Sequence, residues 1–131
     1  MKYLLDTHVI LWSAIEPERL NSSVVSLLQN EENELWFSPI SIWEILVLAE
    51  KGRIQIKATP ESFVRNIIEH LPLKEAMLNS EIAIESRKVK LHHQDPADRF
   101  LAATAIIYGL TMITADKRLI DSGQFPVLKA F

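Results

Sequence analysis

Asp6, Glu44, Asp98 and Asp116 are the residues of this 131-residue chain whose types and placement can do chemistry. Asp6 follows the apolar run Tyr3-Leu4-Leu5, Asp98 opens the small-residue stretch Phe100-Leu101-Ala102-Ala103, and Asp116 follows Leu110-Thr111-Met112-Ile113-Thr114. Acids placed beside strand-to-helix junctions meet at one edge of a sheet. Carboxylates brought together there repel one another and shift their pKa values unless a cation sits among them. The pattern therefore proposes a metal site of oxygen ligands, the donor set of a hard cation.

Taken singly, each acid has a plainer reading. Asp6 can cap the first helix, Asp116 can cap the turn after Thr114, and Asp95 with Asp98 fits capping-box spacing with Pro96 at the first helical position. Glu44 falls on the stripe Ile40, Glu44, Leu48 of a helix, where it can also sit at the edge of a buried face with its head in water. Caps alone do not call for acids at several strand ends together with an acid on an apolar stripe. The combination is what a cation requires.

The elements that must position these residues follow from periodicity and punctuation. Lys2 to Leu5 reads as a central strand, followed by a helix over Thr7 to Ala14, a break at Glu16-Pro17-Glu18, and a helix from about Asn21 to Gln29. Glu34 to Ser38 is the second strand, and Ser38-Pro39 starts a long helix to about Lys51, closed by Gly52. Arg53 to Lys57 permits a short extended piece, Thr59-Pro60-Glu61-Ser62 opens a helix ending near His70, and Leu71-Pro72-Leu73 is a short strand candidate. Asn79 to Val89 is helical with Ile82, Ala83 and Val89 as its buried side. Asp95-Pro96 begins a helix to Tyr108, Gly109 ends it, Leu110 to Thr114 is a strand, and a turn or helix near Lys117 to Asp121 leads to Val127-Leu128. This alternation predicts an α/β fold, a three-layer α/β/α sandwich with a central parallel sheet, in a single domain over 1–131.

Composition frames the function without naming it. A hydrophobic content of 48% suits one core, while a formal net charge of −3 argues against gripping nucleic acid through overall positive charge. The chain has no cysteine, which excludes disulfides, thiolate zinc sites, iron–sulfur clusters and a cysteine nucleophile. The apolar runs fall short of membrane length and the N-terminal region lacks signal-peptide features, so a cytoplasmic protein with no membrane association is expected.

The ordered set Leu5-Asp6-Thr7, Trp43-Glu44, Asp98 running into Leu101-Ala102-Ala103-Thr104-Ala105, and Thr114-Ala115-Asp116 resembles the PIN-domain nucleases over essentially the whole chain. Within that family the chain resembles the VapC-type toxins reading Asp-Thr-His near the start and His-His-x-Asp-Pro-x-Asp-Arg later, matched by His92-His93-Gln94-Asp95-Pro96-Ala97-Asp98-Arg99. His8 departs from the broader pattern, in which a small polar residue is frequent. The resemblance implies that Asp6, Glu44, Asp98 and Asp116 form the acidic quartet, with Mg2+ or a substituting Mn2+ held by Asp6 and Asp98, and Asp116 and Glu44 contributing directly or through waters. It also implies an endoribonuclease of a type II toxin–antitoxin system that uses a metal-activated water and leaves a 3′-hydroxyl and a 5′-phosphate. Its implied partners are the RNA substrate, a VapB-like antitoxin and a second copy in a homodimer.

Other polar residues read as supporting. Thr7 and Thr114 can orient water or phosphate, or serve the local backbone; His92 and His93 read as loop residues or as groups that orient the ligands, rather than as ligands themselves. Asp95 is assigned to capping. Arg99, Lys88, Lys90, Arg87, Lys51 and Arg53 can steer phosphate or simply face solvent, and Trp12, Trp36 and Trp43 read as core, an exposed one suiting an interface. Two readings from other classes stand beside the nuclease. One is a catalytically inactive PIN-fold interaction module, disfavoured by retention of all four acids. The other is a magnesium-binding phosphate-receiver signalling domain, which requires an acidic pair at the first strand that Asp6 lacks.

Overall fold

The computed structural model describes residues 1–91 and 95–130. Five parallel strands form one sheet in the order β3-β2-β1-β4-β5. These are β1 (Lys2–Leu5), β2 (Glu34–Phe37), β3 (Leu73–Glu75), β4 (Thr111–Thr114) and β5 (Val127–Lys129). Because successive side chains of a strand point to opposite faces, each strand feeds two cores. Tyr3, Leu5, Leu35, Phe37 and Ile113 join a cluster with Val9, Ile10, Val24, Ile45, Val64 and Ile67, while Leu4 and Met112 join Leu101, Ala105 and Leu119 on the other side.

The first face is covered by α1 (Thr7–Ile15), α2 (Ser22–Gln29), α3 (Pro39–Glu50) and α4 (Pro60–His70), and the second by α5 (Ser80–Lys88), α6 (Pro96–Tyr108) and α7 (Lys117–Ile120). The sandwich is thus α/β/α with a parallel centre, as the alternation predicts. None of the described helices is long and apolar enough to cross a membrane.

Local chemistry explains where the helices begin. Asn21, Ser38, Thr59, Asn79 and Asp95 each cap a helix by accepting from a backbone N–H of its first turn, and Pro39, Pro60 and Pro96 sit just inside, where a missing N–H costs nothing. Gly109 ends α6 with φ of 67°, a left-handed conformation that a side chain would strain.

Three elements differ from expectation. The third strand lies at Leu73–Glu75, past Pro72, because Leu71 still caps α4 and proline has no N–H for the ladder with β2. No strand forms over Arg53 to Lys57: Arg53 N–H folds back to the Leu48 carbonyl, and none of the five strands pairs with the segment. On α5 the buried positions are Ile82 and Ser86, followed by Val89, while Ala83 is exposed. That spacing of four and three keeps one helical face against α6, whereas Ile82 and Ala83 as neighbours diverge by 100°.

Candidate functional site

β1 lies at the switch in strand order, with β2 on one side and β4 on the other, and the crevice beyond the strand C-termini opens there. Asp6 follows β1 and Asp116 lies two residues past β4. Asp98 comes from the first turn of α6, and Glu44 from the middle of α3. All four line one cavity of about 400 Å³, together with Thr7, His8, Trp12, Asp95, Ala115 and Arg118. The structure therefore brings together every acid singled out from the sequence.

Each carboxylate is held by groups with an identifiable local cause. Asp6 and Asp98 are each only 7% exposed. Asp6 Oδ1 accepts from Thr7 N–H at 2.7 Å and Oδ2 from Thr114 Oγ1 at 2.6 Å, so the residue caps α1 while its second oxygen is tied to β4. Thr114 Oγ1 in turn accepts from Asp116 N–H at 3.0 Å, which makes this fully buried hydroxyl the link between two acids. Glu44 Oε1 accepts from Thr7 Oγ1 at 2.6 Å, and the same hydroxyl lies 3.0 Å from Ser41 Oγ. Thr7 and Thr114 thus position carboxylates. Sequence left open whether they serve backbone or water, because the partners lie 37 and 108 residues away.

Thr114→Val keeps the shape of the side chain and removes the donor. The buried Asp6 carboxylate then loses a charge-assisted hydrogen bond, an expected destabilisation of about 1.5–3 kcal/mol in urea denaturation, with Thr114→Ser much milder. Equal stability of the valine variant and wild type would contradict this role.

Arg118 is the site residue that sequence reading missed. Its backbone N–H and Nε donate to Asp116 Oδ1 at 2.9 and 3.2 Å, its terminal nitrogen reaches Asp116 Oδ2 at 2.9 Å, and the same nitrogen lies 3.5 Å from Asp98 Oδ2. The available signal was the spacing: an N-cap acid and an Arg two positions later share the first turn of a helix. Asp116 caps α7 through these bonds, so its plain reading and its place in the cavity hold together. Asp95 also does both, accepting from Ala97 and Asp98 N–H while lining the cavity. His8 is exposed at the rim, its ring 5.7 Å from that of Trp12. His92 and His93 lie outside the described residues.

Two groups expected at the surface or in the core are elsewhere. Arg99 is buried and donates through Nε and a terminal nitrogen to the Ser86 and Val89 carbonyls, both at 2.8 Å, so it does not steer phosphate. Trp43, beside Glu44, is 57% exposed, while Trp12 and Trp36 are half-buried.

The electrostatics are those of crowded acids. Burial pushes the Asp6 carboxyl up against the opposing pull of the Thr114 hydroxyl. Burial likewise raises Glu44, opposed by Thr7 and reinforced by the charges of Asp6 and Asp95. Asp98 is pushed up to about 7, first by burial and then by the charges of Asp95, Asp6, Asp116 and Glu44. The donor set is all oxygen and every shift recorded for it is one a divalent cation would reverse, so its chemistry fits Mg2+ or Mn2+. Among the described residues no three of these groups are already closed into a metal-binding cluster. Threonine hydroxyls and Arg118 occupy carboxylate oxygens in this arrangement.

Comparison with known proteins places the chain. The PIN domain family matches residues 3–123. Ribonuclease VapC22 of Mycobacterium tuberculosis is 34% identical over 119 residues, 88% of each chain. The fold matches VapBC2 from Rickettsia felis bound to a promoter DNA fragment, with a TM-score of 0.74 and 15% identity over 98% of both chains. It also matches DNA-bound VapBC from Salmonella typhimurium, with a TM-score of 0.73 and 18% identity over 100% of this chain and 99% of that one. A family match over almost the full length, on a five-stranded parallel sheet with its acids at the switch point, makes this chain a member of the PIN domain family.

Proposed function

We propose that this chain is a metal-dependent endoribonuclease, the toxin of a toxin–antitoxin pair, with Asp6, Glu44, Asp98 and Asp116 as its catalytic and metal-binding residues. The observation that carries the reading is the convergence of these four acids on one cavity at the sheet's switch point. Membership of the PIN family and 34% identity to a protein named as a ribonuclease support it.

Asp6 and Asp98 hold Mg2+, or Mn2+ in its place, with Asp116 and Glu44 contributing directly or through water. When bound, the cation supplies an acidified water and offsets charge on the scissile phosphate. The chain supplies position. Thr114 and the Thr7 N–H fix both oxygens of Asp6, and Thr7 Oγ1 fixes Glu44, so neither carboxylate has to be ordered when substrate arrives. Arg118 neutralises part of the acidic charge and releases Asp98 to the cation by staying on Asp116, its closer partner. The match in fold to VapBC complexes supports a VapB-like antitoxin as partner. A homodimer completes the assembly.

The test is cleavage of an end-labelled single-stranded RNA by wild type and by Asp6→Asn, with Mn2+ or with EDTA. Cleavage is expected only with the metal, and the variant is expected to be slower by at least about 10²-fold. No cleavage above a protein-free control by either protein would leave an inactive interaction module as the reading, and equal metal-dependent cleavage by both would remove Asp6 from the catalytic site.

A further inference from the structure

A second cavity of about 580 Å³ adjoins the acidic one, and His8 and Trp12 line both. Its remaining walls include Arg19 and Arg53, with Leu11 and Ile54. The Arg19 guanidinium lies over the Trp12 indole, 4.5 Å from the ring centroid, and pairs with Glu16, the one acid among the cavity's described lining residues, through an exposed contact of 3.7 Å. An indole, a guanidinium stacked on it and a second arginine therefore line a cavity that shares His8 and Trp12 with the acidic one. In a chain whose formal net charge is −3, this is a local reversal of sign next to the place where a phosphate must be cut.

We propose that this cavity holds the RNA strand adjoining the scissile bond: one unpaired base stacks on the Trp12–Arg19 pair, and Arg19 and Arg53 take the flanking phosphates. The inference rests on the endoribonuclease reading. An acidic cavity cannot attract a polyanion by itself, so its substrate needs cationic groups within a nucleotide or two. Single-strand binders meet that need with aromatic faces for bases and arginines for phosphate and stacking. A sheet edge or apolar groove for a peptide needs neither the stacked cation nor the second arginine.

The test is fluorescence anisotropy of a labelled ten-nucleotide single-stranded RNA, with Ca2+ in place of the catalytic metal, over a series of salt concentrations. Trp12→Ala is expected to weaken binding about 10-fold or more, and Trp12→Phe to restore most of it. Arg19→Ala with Arg53→Ala is expected to lower the slope of log affinity against log salt by about 1.4, the loss of two phosphate contacts to a single strand. Wild-type affinity and slope in these variants would overturn the subsite and leave the nuclease reading standing. RNA binding unchanged while the affinity for a cognate antitoxin peptide falls would assign the cavity to protein and overturn it as well. Failure of the wild type itself to bind RNA would overturn both.

Discussion

Asp98→Asn is expected to lower RNA cleavage by at least about 10³-fold and, in the same protein, to raise thermal stability at pH 8. The first effect follows from removing an anionic ligand from the proposed metal seat, which forfeits about 4 kcal/mol of transition-state stabilisation. The second follows from where the charge sits. The Asp98 carboxyl is buried among four other acids and its pKa is pushed up to about 7, against an ordinary 3.8. Between those two values the folded protein binds more protons than the unfolded chain, so stability is fully present below about pH 4 and is lost as pH rises through about 7. Asparagine keeps the shape and removes the repulsion. Allowing for the nearby Arg118 and for partial solvent screening, a gain of about 2 kcal/mol at pH 8 is expected, or roughly 7 °C.

Differential scanning fluorimetry of both proteins at pH 5 and pH 8, without divalent cations, checks this. The wild type should lose stability between the two values more steeply than the variant, and Mg2+ should restore it in the wild type. A variant less stable than wild type at pH 8 would mean that Arg118 and the backbone already neutralise Asp98.

Arg99→Met should destabilise the protein by about 3 kcal/mol in urea denaturation without any contact to the acids being lost. Arg99 is 6% exposed and uses two nitrogens on the carbonyls of Ser86 and Val89, at the C-terminal end of α5. Those carbonyls belong to the last turn, where a helix has no internal donors and its dipole favours a cation. Methionine fills similar volume but leaves both acceptors without that donor. Arg99→Lys is expected to recover little, since one ammonium cannot reproduce a planar fork across two carbonyls. A loss below about 1 kcal/mol would show that water replaces the guanidinium there.

Arg99 and its neighbour also mark what could be read from sequence. Asp98 was legible because it opens a helix after the Asp95-Pro96 cap, a purely local signal that the structure bears out. The side chain one residue on reads locally as a charged helix-end residue, and only the packing of α5 on α6 turns it inward. The same division runs through the rest. Helix starts at Asn21, Ser38, Thr59 and Asn79, prolines at first helical positions and the apolar strands β1, β2 and β4 are decided within a few residues, and these were readable. Ser86 in place of Ala83 on the buried side of α5 was not, because hydropathy favours the alanine although the helical period sets Ser86 on the face of Ile82 and Val89. Likewise the convergence of the four acids could be inferred from Asp6 and Asp116 at strand ends, Asp98 at a helix start and Glu44 on an apolar helix stripe. The hydroxyls that hold them, and the intrusion of Arg118, depend on contacts between elements that sequence order does not reveal.

The strand order has one more consequence, in time rather than space. Tyr3 in β1 pairs with Leu35 in β2, but on its other side with Thr111 in β4, the fourth strand of five. Asp6 therefore gains the Thr114 hydroxyl that fixes its second oxygen, with Asp98 and Asp116 beside it, only once segments about 100 residues apart have come together. Domains fold as cooperative units, and pairings between residues distant in sequence are slow to form. The acidic cavity is therefore built from contacts of large sequence separation, and a ribosome making this chain meets a finished site no earlier than the emergence of Arg118, its last lining residue.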